Sequence, residues 1–283
     1  MFNKILIPID GSSDSWVAVD HAIVLAKEEK ATLIGIYIAD ERTIYSPCWS
    51  ASATMDPLSP DCDPLLLEQA EKIRSQIRKQ GEKALKDLRE RSLVSGVKIE
   101  TYFETGVVSQ IILDYAKKVD LVVMGRQGSS ARWSGPLFGS TFEAVARHAP
   151  VPVLATCSEV RPLRRILIAY DGSDHAKEAL NIALHFSKEK DRNLIIVTVD
   201  DGKANRAAAS LEAAVLAKEQ GIDAKRILIE GHVAEQILDV AQKEDCDLII
   251  MGAYGHSRFV STLLGSTVDD VLHHTTIPVM VCH

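Results

Sequence analysis

Glycine and hydroxyl residues in the second half of the chain have the spacing of an anion-binding loop. Gly252 and Gly255 follow an apolar run, and Gly265, Ser266 and Thr267 come after nine further residues. Glycine tolerates positive φ and lets backbone N–H groups approach a ligand closely. Free N–H groups at the start of a helix attract anions such as phosphate. The spacing therefore predicts a phosphate-binding loop between a strand and a helix.

The first half contains the same elements with a different spacing. Gly125 and Gly128 are followed by Gly139, Ser140 and Thr141, but ten residues instead of nine separate the second glycine from the third. The extra residue either forms a bulge or displaces the N–H groups. The second loop is therefore the better candidate, although we expect both to be occupied. Two basic residues of the first loop either contact phosphate or face solvent: Arg126 and Arg132.

An aspartate closes the first apolar run of each half. Asp10 and Asp171 are each followed by Gly-Ser and then by a helical pattern. Ser12 or Ser13, and Ser173 or Asp174, are good helix caps, and an acidic residue near a helix start is favourable without any ligand. In parallel sheets, ligands gather at the carboxyl ends of strands. The aspartates are therefore candidates both for helix capping and for ligand binding.

These residues lie in a sequence that is written twice. Four segments recur in the same order, which indicates a tandem duplication. They are Lys4–Ser12 and Arg165–Ser173, Gly106–Asp114 and Gly231–Asp239, Asp120–Gly125 and Asp247–Gly252, and His148–Val153 and His274–Val279. We expect a first domain over residues 1–157, a second over residues 158–283, and a linker at Glu159–Leu163.

Short apolar runs alternate with helical patterns in each copy. Such strands are buried on both faces, which indicates an α/β fold with a parallel sheet between helices. Right-handed crossovers then make each copy a doubly wound, five-stranded sheet. In the first copy we predict strands at Ile5–Ile9, Thr32–Ile38, Val97–Tyr102, Leu121–Met124 and Pro152–Ala155, and helices at Ser13–Lys30, Leu65–Ser92, Val108–Lys117 and Ser140–His148. In the second we predict strands at Ile166–Tyr170, Leu194–Val199, Lys225–Ile229, Leu248–Met251 and Pro278–Cys282, and a short helix at about 204–220.

The first copy carries an insertion. The offset between the copies falls from 161 residues at the strand-end aspartates to 125 at Gly106 and Gly231, so the first copy holds 36 additional residues. They fall at about 41–96, as a polar stretch at Ser46–Pro64 and a helical pattern at Leu65–Leu93. The insertion either flanks a site or is a surface excursion without a role.

Composition excludes several classes of function. Hydrophobic residues make up 46% of the chain and charged residues 25%. The net charge of −7, without a dense Lys/Arg cluster, argues against a nucleic-acid surface. No apolar run approaches the roughly 20 residues of a membrane helix, and the N-terminal segment is typical of a strand, not of a signal peptide. Five cysteines without a CxxC pair should be reduced and mostly packed, with a Cys48–Cys62 disulfide as the less favoured alternative in a reducing compartment. We expect a cytoplasmic protein that binds neither nucleic acid nor membrane.

The strand-end aspartate, the paired glycines, the Gly-Ser-Thr helix start and the closing Pro-Val strand together resemble those of universal stress proteins. The tandem, two-domain type of that family would account for the whole chain. The resemblance implies two Rossmann-like domains of the adenine nucleotide alpha hydrolase-like fold. Nucleotide-binding members hold ATP with a motif G-2x-G-9x-G-[S/T], which the second copy matches and the first exceeds by one residue.

The resemblance also implies roles for individual residues. Asp171 would face the ribose and phosphates, and Val199 would meet adenine through its backbone. The implied binding residues of the second copy are Ala169, Tyr170, Asp171, Val199, Met251, Gly252, Tyr254, Gly255, Gly265, Ser266 and Thr267. Those of the first copy are Pro8, Ile9, Asp10, Ile38, Met124, Gly125, Gln127, Gly128, Gly139, Ser140 and Thr141.

The function implied by the resemblance is that of an ATP-binding stress-response sensor or interaction protein. A Mg²⁺ or Mn²⁺ ion would be held mainly by the phosphates. The chain has no G-x-x-x-x-G-K-[S/T] lysine and no evident general base, so hydrolysis should be slow at most. Family members commonly pair their terminal strands edge to edge. We therefore expect Pro152–Ala155 and Pro278–Cys282 to join the two domains as a pseudo-dimer, and a further homodimer.

Two alternative functions stay open. The chain could be a scaffold of the same fold that binds no nucleotide and keeps its glycine loops for packing. An adenylyl-transfer enzyme is the weaker alternative, because no Ser-Gly-Gly-x-Asp-Ser pyrophosphatase loop follows either first strand. No metal site is expected, since His273 and His274 are adjacent on a helix and point about 100° apart.

Overall fold

The computed structural model describes residues 2–46, 48, 63–128, 138–188, 192–202, 205–253 and 265–283. Within them, strands and helices alternate as the repeat predicts. The first copy contains β1 (Lys4–Ile9), α1 (Ser13–Glu29), β2 (Thr32–Asp40), α2 (Glu41–Ile44), α3 (Pro64–Val94), β3 (Ile99–Gly106), α4 (Val108–Ala116), β4 (Leu121–Gly125), α5 (Ser140–His148) and β5 (Val153–Thr156). The second contains β6 (Arg165–Ala169), α6 (Asp174–Lys188), β7 (Asn193–Asp200), α7 (Arg206–Glu219), β8 (Lys225–Glu230), α8 (Val233–Lys243), β9 (Leu248–Gly252), α9 (Ser266–His274) and β10 (Val279–Cys282).

Each copy forms a parallel sheet, and the two sheets are joined. In the described part of the chain the strand order is β3-β2-β1-β4-β5-β10-β9-β6-β7-β8. Neighbouring strands within a copy are parallel. The strands β5 and β10 pair antiparallel, with Val153 opposite Val281 and Ala155 opposite Val279. The predicted α/β class and the predicted pairing of the terminal strands are confirmed.

Helices bury both faces of the sheet, which explains the unbroken apolar strands. Ile5 and Ile7 of β1 pack on one face and Leu6 on the other. Helices α1, α3, α6 and α7 cover the first face, and α4, α5, α8 and α9 cover the second. Leu154 and Met280, on the two joining strands, are fully buried in the first core. Because full burial of one such side chain is worth about 1.5–3 kcal/mol, the two copies stabilise each other.

The edge strand and the insertion refine the prediction. The strand β3 runs to Gly106 instead of ending at Tyr102, because it pairs with β2 as far as Asp40. The burial of its side chains alternates because β3 lies at the edge of the sheet. The exposed positions interrupt the apolar run that identifies a strand in the sequence. The helix α3 begins where the Asp63 side chain accepts the backbone N–H of Leu65, and Pro64 occupies its first turn. Most of the polar Ser46–Pro64 stretch lies outside the described residues.

No helix in the described ranges is long and apolar enough to cross a membrane. Three cysteines, Cys157, Cys246 and Cys282, are buried free thiols. Burial raises the pKa of Cys246 to about 12, so this thiol stays protonated near neutral pH. All three thiols are therefore packed in the interior, as the sequence predicts.

A buried histidine fastens the linker to the first copy. The His21 ring of α1 is fully buried; its Nδ1 lies 3.0 Å from the Val17 carbonyl oxygen, and its Nε2 accepts the backbone N–H of Arg161 at 3.0 Å. These partners fit the neutral ring protonated on Nδ1. Burial lowers the pKa of His21, against the opposing effects of the Val17 hydrogen bond and the Asp20 charge. Further along, Leu163 is fully buried with a φ of 51°.

We expect the His21 contact to make folding depend on pH. Because its pKa is lowered in the folded protein, the unfolded chain binds the proton more readily, and the free energy of unfolding should fall as pH drops below about 6.5. The substitution His21→Gln removes this ionisable side chain, so the free energy of unfolding should fall less steeply as the pH drops. Urea unfolding at pH 7 and pH 5 measures the effect, with His274→Gln at an exposed position as the control. An identical pH dependence in wild type and His21→Gln would contradict this assignment.

Candidate functional site

Two equivalent cavities open at the carboxyl ends of the strands, one in each copy. Each lies between the first and fourth strands of its copy, where the strand order reverses. The first cavity has a volume of ≈ 470 Å³ and the second ≈ 700 Å³. Both volumes are within the range of small-molecule sites, roughly 300–1,000 Å³.

Every predicted binding residue that the structure describes lines one of these cavities. The first is lined by Pro8, Ile9, Asp10, Ile38, Met124, Gly125, Gln127, Gly128, Gly139, Ser140 and Thr141. The second is lined by Ala169, Tyr170, Asp171, Val199, Met251, Gly252, Gly265, Ser266 and Thr267. The remaining two, Tyr254 and Gly255, lie outside the described residues.

The strand-end aspartates shape the turns at the floor of the cavities. Asp10 Oδ1 accepts the backbone N–H of Ser12 at 2.9 Å and its hydroxyl at 2.6 Å, and Asp171 Oδ1 accepts the N–H of Ser173 at 3.0 Å. The Ser12 hydroxyl in turn accepts the N–H of Ser15 at the start of α1. The serines are therefore the helix caps. Both aspartates line their cavities and also hold the turn that follows the first strand.

The two glycine segments of each loop meet above the strand ends. The N–H of Gly139 donates to the Arg126 carbonyl at 3.0 Å, and in the second copy that of Gly265 donates to the Ala253 carbonyl at 3.2 Å. A Cβ on Gly128 would lie 2.9 Å from Asp10 Oδ2, so the missing side chain leaves room beside that carboxylate. The helices α5 and α9 begin directly after these glycines without a side-chain cap. Their first N–H groups can therefore meet an anion.

The first glycine of each loop is required for packing as well. A Cβ on Gly125 would lie 2.8 Å from the Asp14 Cβ and 3.0 Å from the backbone C and O of Asp14 in α1. A Cβ on Gly252 would lie 2.8 Å from the backbone of His175 and 2.9 Å from that of Ala176 in α6. Real Cβ atoms essentially never approach backbone so closely. These two glycines thus let a helix lie against the end of the fourth strand, besides bordering a cavity.

Arg126 lines the first cavity, but its guanidinium is engaged with the second copy. Its guanidinium donates to the carbonyl oxygens of Leu272 and Thr275, at the end of α9 in the other copy. It also donates to Cys157 Sγ at 2.8 Å. The C-terminal end of a helix carries unpaired carbonyl oxygens and a partial negative charge, and both attract a cation. The other candidate, Arg132, lies outside the described residues.

The insertion forms one wall of the first cavity. Ile77 and Gln80 of α3 line it, so the alternative in which the insertion flanks a site is supported. Gly81 lets α3 lie close to the sheet, because a Cβ there would be 2.5 Å from the Tyr37 ring. Tyr37 lines the cavity too; burial, together with the charge of Asp10, raises its pKa.

The second cavity has a buried arginine in its wall instead. The Arg206 side chain at the start of α7 is only 9% exposed. Its Nη1 donates to the Asp171 carbonyl oxygen at 2.7 Å and lies 3.6 Å from the Asp171 carboxylate, and its Nε lies 3.4 Å from Asp201. Neighbouring Tyr170 is buried, and burial with the Glu212 carboxylate raises its pKa to about 12. The cavities therefore share a floor and differ in their walls.

Sequence reasoning missed the lining from the turn between β3 and α4 and its counterpart before α8. Val108 lines the first cavity, and Gly231, His232 and Val233 line the second. The signal was present in the repeat, because Gly-x-Val recurs here and the glycines have φ of 151° and 139°. The other missed residues are Ser15, Ile36, Tyr37, Asp40, Arg42, Thr43, Ile77, Gln80, Ile112 and Phe142 in the first cavity, and Ser173, Ala176, Val197, Asp201, Arg206, Ile237, Val268 and Asp270 in the second.

Within the described ranges, no group of three or more His, Cys, Asp or Glu side chains is arranged to hold a metal ion. His273 Nδ1 and His274 Nδ1 each lie beside a backbone carbonyl of their own helix, four residues earlier. The cavities offer hydrogen bonding from helix-start N–H groups and hydroxyls, and the carboxylates of Asp10 and Asp171 as acceptors.

Comparison with known proteins agrees with this architecture of two Rossmann-like repeats. The model of the universal stress protein family matches residues 1–156, 162–220 and 199–283. The chain belongs to the universal stress protein family.

Relatives and solved structures match part or nearly all of the chain. A universal stress protein of Synechocystis is 32% identical over 186 residues, and this match spans 64% of either chain. One from Mycolicibacterium smegmatis is 24% identical over 98% of this chain and 96% of its own length. The crystal structure of a universal stress protein from Archaeoglobus fulgidus superimposes with a TM-score of 0.77 over 99% of this chain and 96% of that chain, at 22% identity. That likeness shows that the fold is shared along the whole chain.

We expect the glycines of one loop to differ in what they support. The substitution Gly125→Ala should destabilise the protein by about 1–3 kcal/mol, because its Cβ would overlap the α1 backbone. Gly139→Ala should cost less than about 1 kcal/mol, since its Cβ would have 3.7 Å to the nearest atom and its φ of −66° suits alanine. Thermal unfolding without nucleotide compares the two variants. Equal losses would show that Gly125 is not a packing requirement.

Proposed function

We propose that the chain is an ATP-binding tandem universal stress protein that acts as a nucleotide-dependent stress-response sensor or interaction protein. The observation that carries the proposal is the duplication of the cavity itself. The same strand ends, glycine segments and helix starts form one cavity in each copy. A packing role alone would account for Gly125 and Gly252, but it requires neither cavity.

The shape of each cavity suits an adenine nucleotide. The helix starts at Ser140 and Ser266 offer N–H groups and hydroxyls to phosphates. The apolar residues Ile38 and Val199, near the ends of β2 and β7, border the opposite part of each cavity, where a base would lie. Asp171 accepts hydrogen bonds from the backbone N–H of Ser173 and from the Arg206 guanidinium, and in this proposal its carboxylate also accepts the ribose hydroxyls. A Mg²⁺ or Mn²⁺ ion would be held mainly by phosphate oxygens and water.

ATP turnover, if present, should be slow. Phosphoryl transfer needs cations on the developing charge and a group that positions the nucleophile. Each described arginine that lines a cavity already has partners. Arg206 is engaged with Asp171 and Asp201, and Arg126 with the end of α9. Arg42 is paired with Asp40. We therefore propose binding and signalling as the function, in preference to catalysis.

The wider assignments follow from the family and the fold. We propose a domain division at residues 157 and 158, which the family match ending at residue 156 supports. We further propose a cytoplasmic location and a homodimer in addition to the internal pairing of β5 with β10. The partner protein would read the nucleotide state of the cavities.

The test is calorimetric titration of ATP into wild type and two matched variants. Ile38→Trp and Val199→Trp place an indole at equivalent positions of the two cavities. We expect two ATP bound per chain in the wild type, one in each single variant and none in the double variant. Circular dichroism of each variant controls for folding.

Two results would contradict the proposal. Wild type that binds no ATP at millimolar concentration, and that releases no nucleotide when the purified protein is denatured, would favour the scaffold without nucleotide. A double variant that still binds two ATP would show that the cavities are not the sites. Release of pyrophosphate with an acceptor would instead favour adenylyl transfer.

A further inference from the structure

The two copies exchange contacts at the ends of the helices that begin at the cavities. Arg126, which follows β4 of the first copy, donates to carbonyls at the end of α9. His283, which follows β10 of the second copy, lies with Nε2 2.8 Å from the Ala146 carbonyl near the end of α5. Each helix therefore starts at the cavity of its own copy and is held at its other end by the opposite copy.

The two copies make these contacts from different positions of the repeat. The repeat aligns Arg126 with Ala253 and Cys157 with His283. In the first copy the long donor, Arg126, follows the fourth strand and faces a small cysteine, with Arg126 Nη2 2.8 Å from Cys157 Sγ. In the second copy the small residue, Ala253, follows the fourth strand, and the long one, His283, follows the fifth. As a result, the Arg126 guanidinium contacts the end of α9, and the His283 imidazole contacts the end of α5.

A second contact ties the first glycine loop to α9. Phe138, which directly precedes Gly139, packs edge-to-face on His273 with ring centroids 4.4 Å apart. Arg126 lies between the first two glycines of the same loop. Both sides of the first loop thus touch α9, whose own start forms the phosphate end of the second cavity. The helix α9 runs from Ser266 to His274, about 13 Å, so it moves as a short rigid rod.

We propose that Arg126 of the first copy is a positioning residue for the nucleotide site of the second copy. It satisfies the carbonyls at the end of α9 and places a positive charge at the negative end of the helix dipole. This holds the Ser266 end of the helix at the cavity. The inference rests on the proposed nucleotide site for its ligand, and on the helix contacts for its geometry.

The decisive measurement opens one cavity at a time. In the Ile38→Trp background only the second cavity is open, and there Arg126→Ala should weaken ATP binding about tenfold. Adenosine, which has no phosphate for the helix start, should lose less than about twofold. In the Val199→Trp background only the first cavity is open, and Arg126→Ala should weaken ATP binding there less than at the second cavity, because the guanidinium is engaged with the end of α9. Arg126→Lys should restore part of the affinity, because it keeps the charge but not the two-pronged donor.

A ligand-free measurement separates this inference from the nucleotide proposal. Hydrogen exchange of the unliganded protein should speed up along α9, including its first turn, in Arg126→Ala and not in Arg89→Ala. Arg89 is an exposed residue of α3 that donates to Thr101. If ATP fails to bind while α9 responds in this way, the nucleotide proposal fails and the positioning role stands.

Three outcomes would overturn the inference. Weaker ATP binding in the Val199→Trp background alone would make Arg126 a ligand of its own cavity. Unchanged exchange in α9, or an equal loss for ATP and adenosine, would show that the contact does not position the helix start.

Discussion

The antiparallel pairing of β5 with β10 is the interaction on which the rest of the structure depends. Each copy alone would end in an open sheet edge with unpaired backbone groups. Joining the two edges makes one sheet, and the cores on both of its faces continue across the junction through Leu154 and Met280 on one side and Val153 and Val281 on the other. The pairing also sets α5 beside the second copy and α9 beside the first. The cross-contacts of Arg126 and His283 exist because of it.

The polar contacts between the copies follow from the same geometry. On the face of the sheet that α1 and α6 cover, the ends of these two helices lie close together. Phe2 packs edge-to-face on Phe186, and the guanidinium of Arg192 donates to the Glu28 carboxylate. The Arg192 side chain is 1% exposed, so its charge depends on the carboxylate and on the Phe186 carbonyl. Removing one partner of such a pair leaves an uncompensated charge. The pairing thus fixes the relative position of the two copies more strictly than apolar packing alone would.

The sequence predicts the fold well because its signals are local and duplicated. Apolar runs placed every strand of the sheet, and the repeat supplied the element order. The strand-end aspartates and the glycines came to line the cavities because parallel strands bring their carboxyl ends to one edge. What could not be predicted are distances between copies. Nothing in the residues around Arg126 says that the end of α9 is within reach, since that contact spans 146 residues.

The walls of the cavities show the same division between local and long-range information. The insertion was recognisable as extra length, but that Gln80 would face the first cavity depends on how α3 crosses the sheet at Gly81. Arg206 reads in sequence as an ordinary helix-start residue, yet it is buried against two carboxylates. The duplicated floor therefore holds the shared ligand chemistry, whereas the unshared walls decide which ligand each cavity prefers. A neutral amide in one wall and a buried guanidinium in the other make unequal affinities the physical expectation for two sites of common origin.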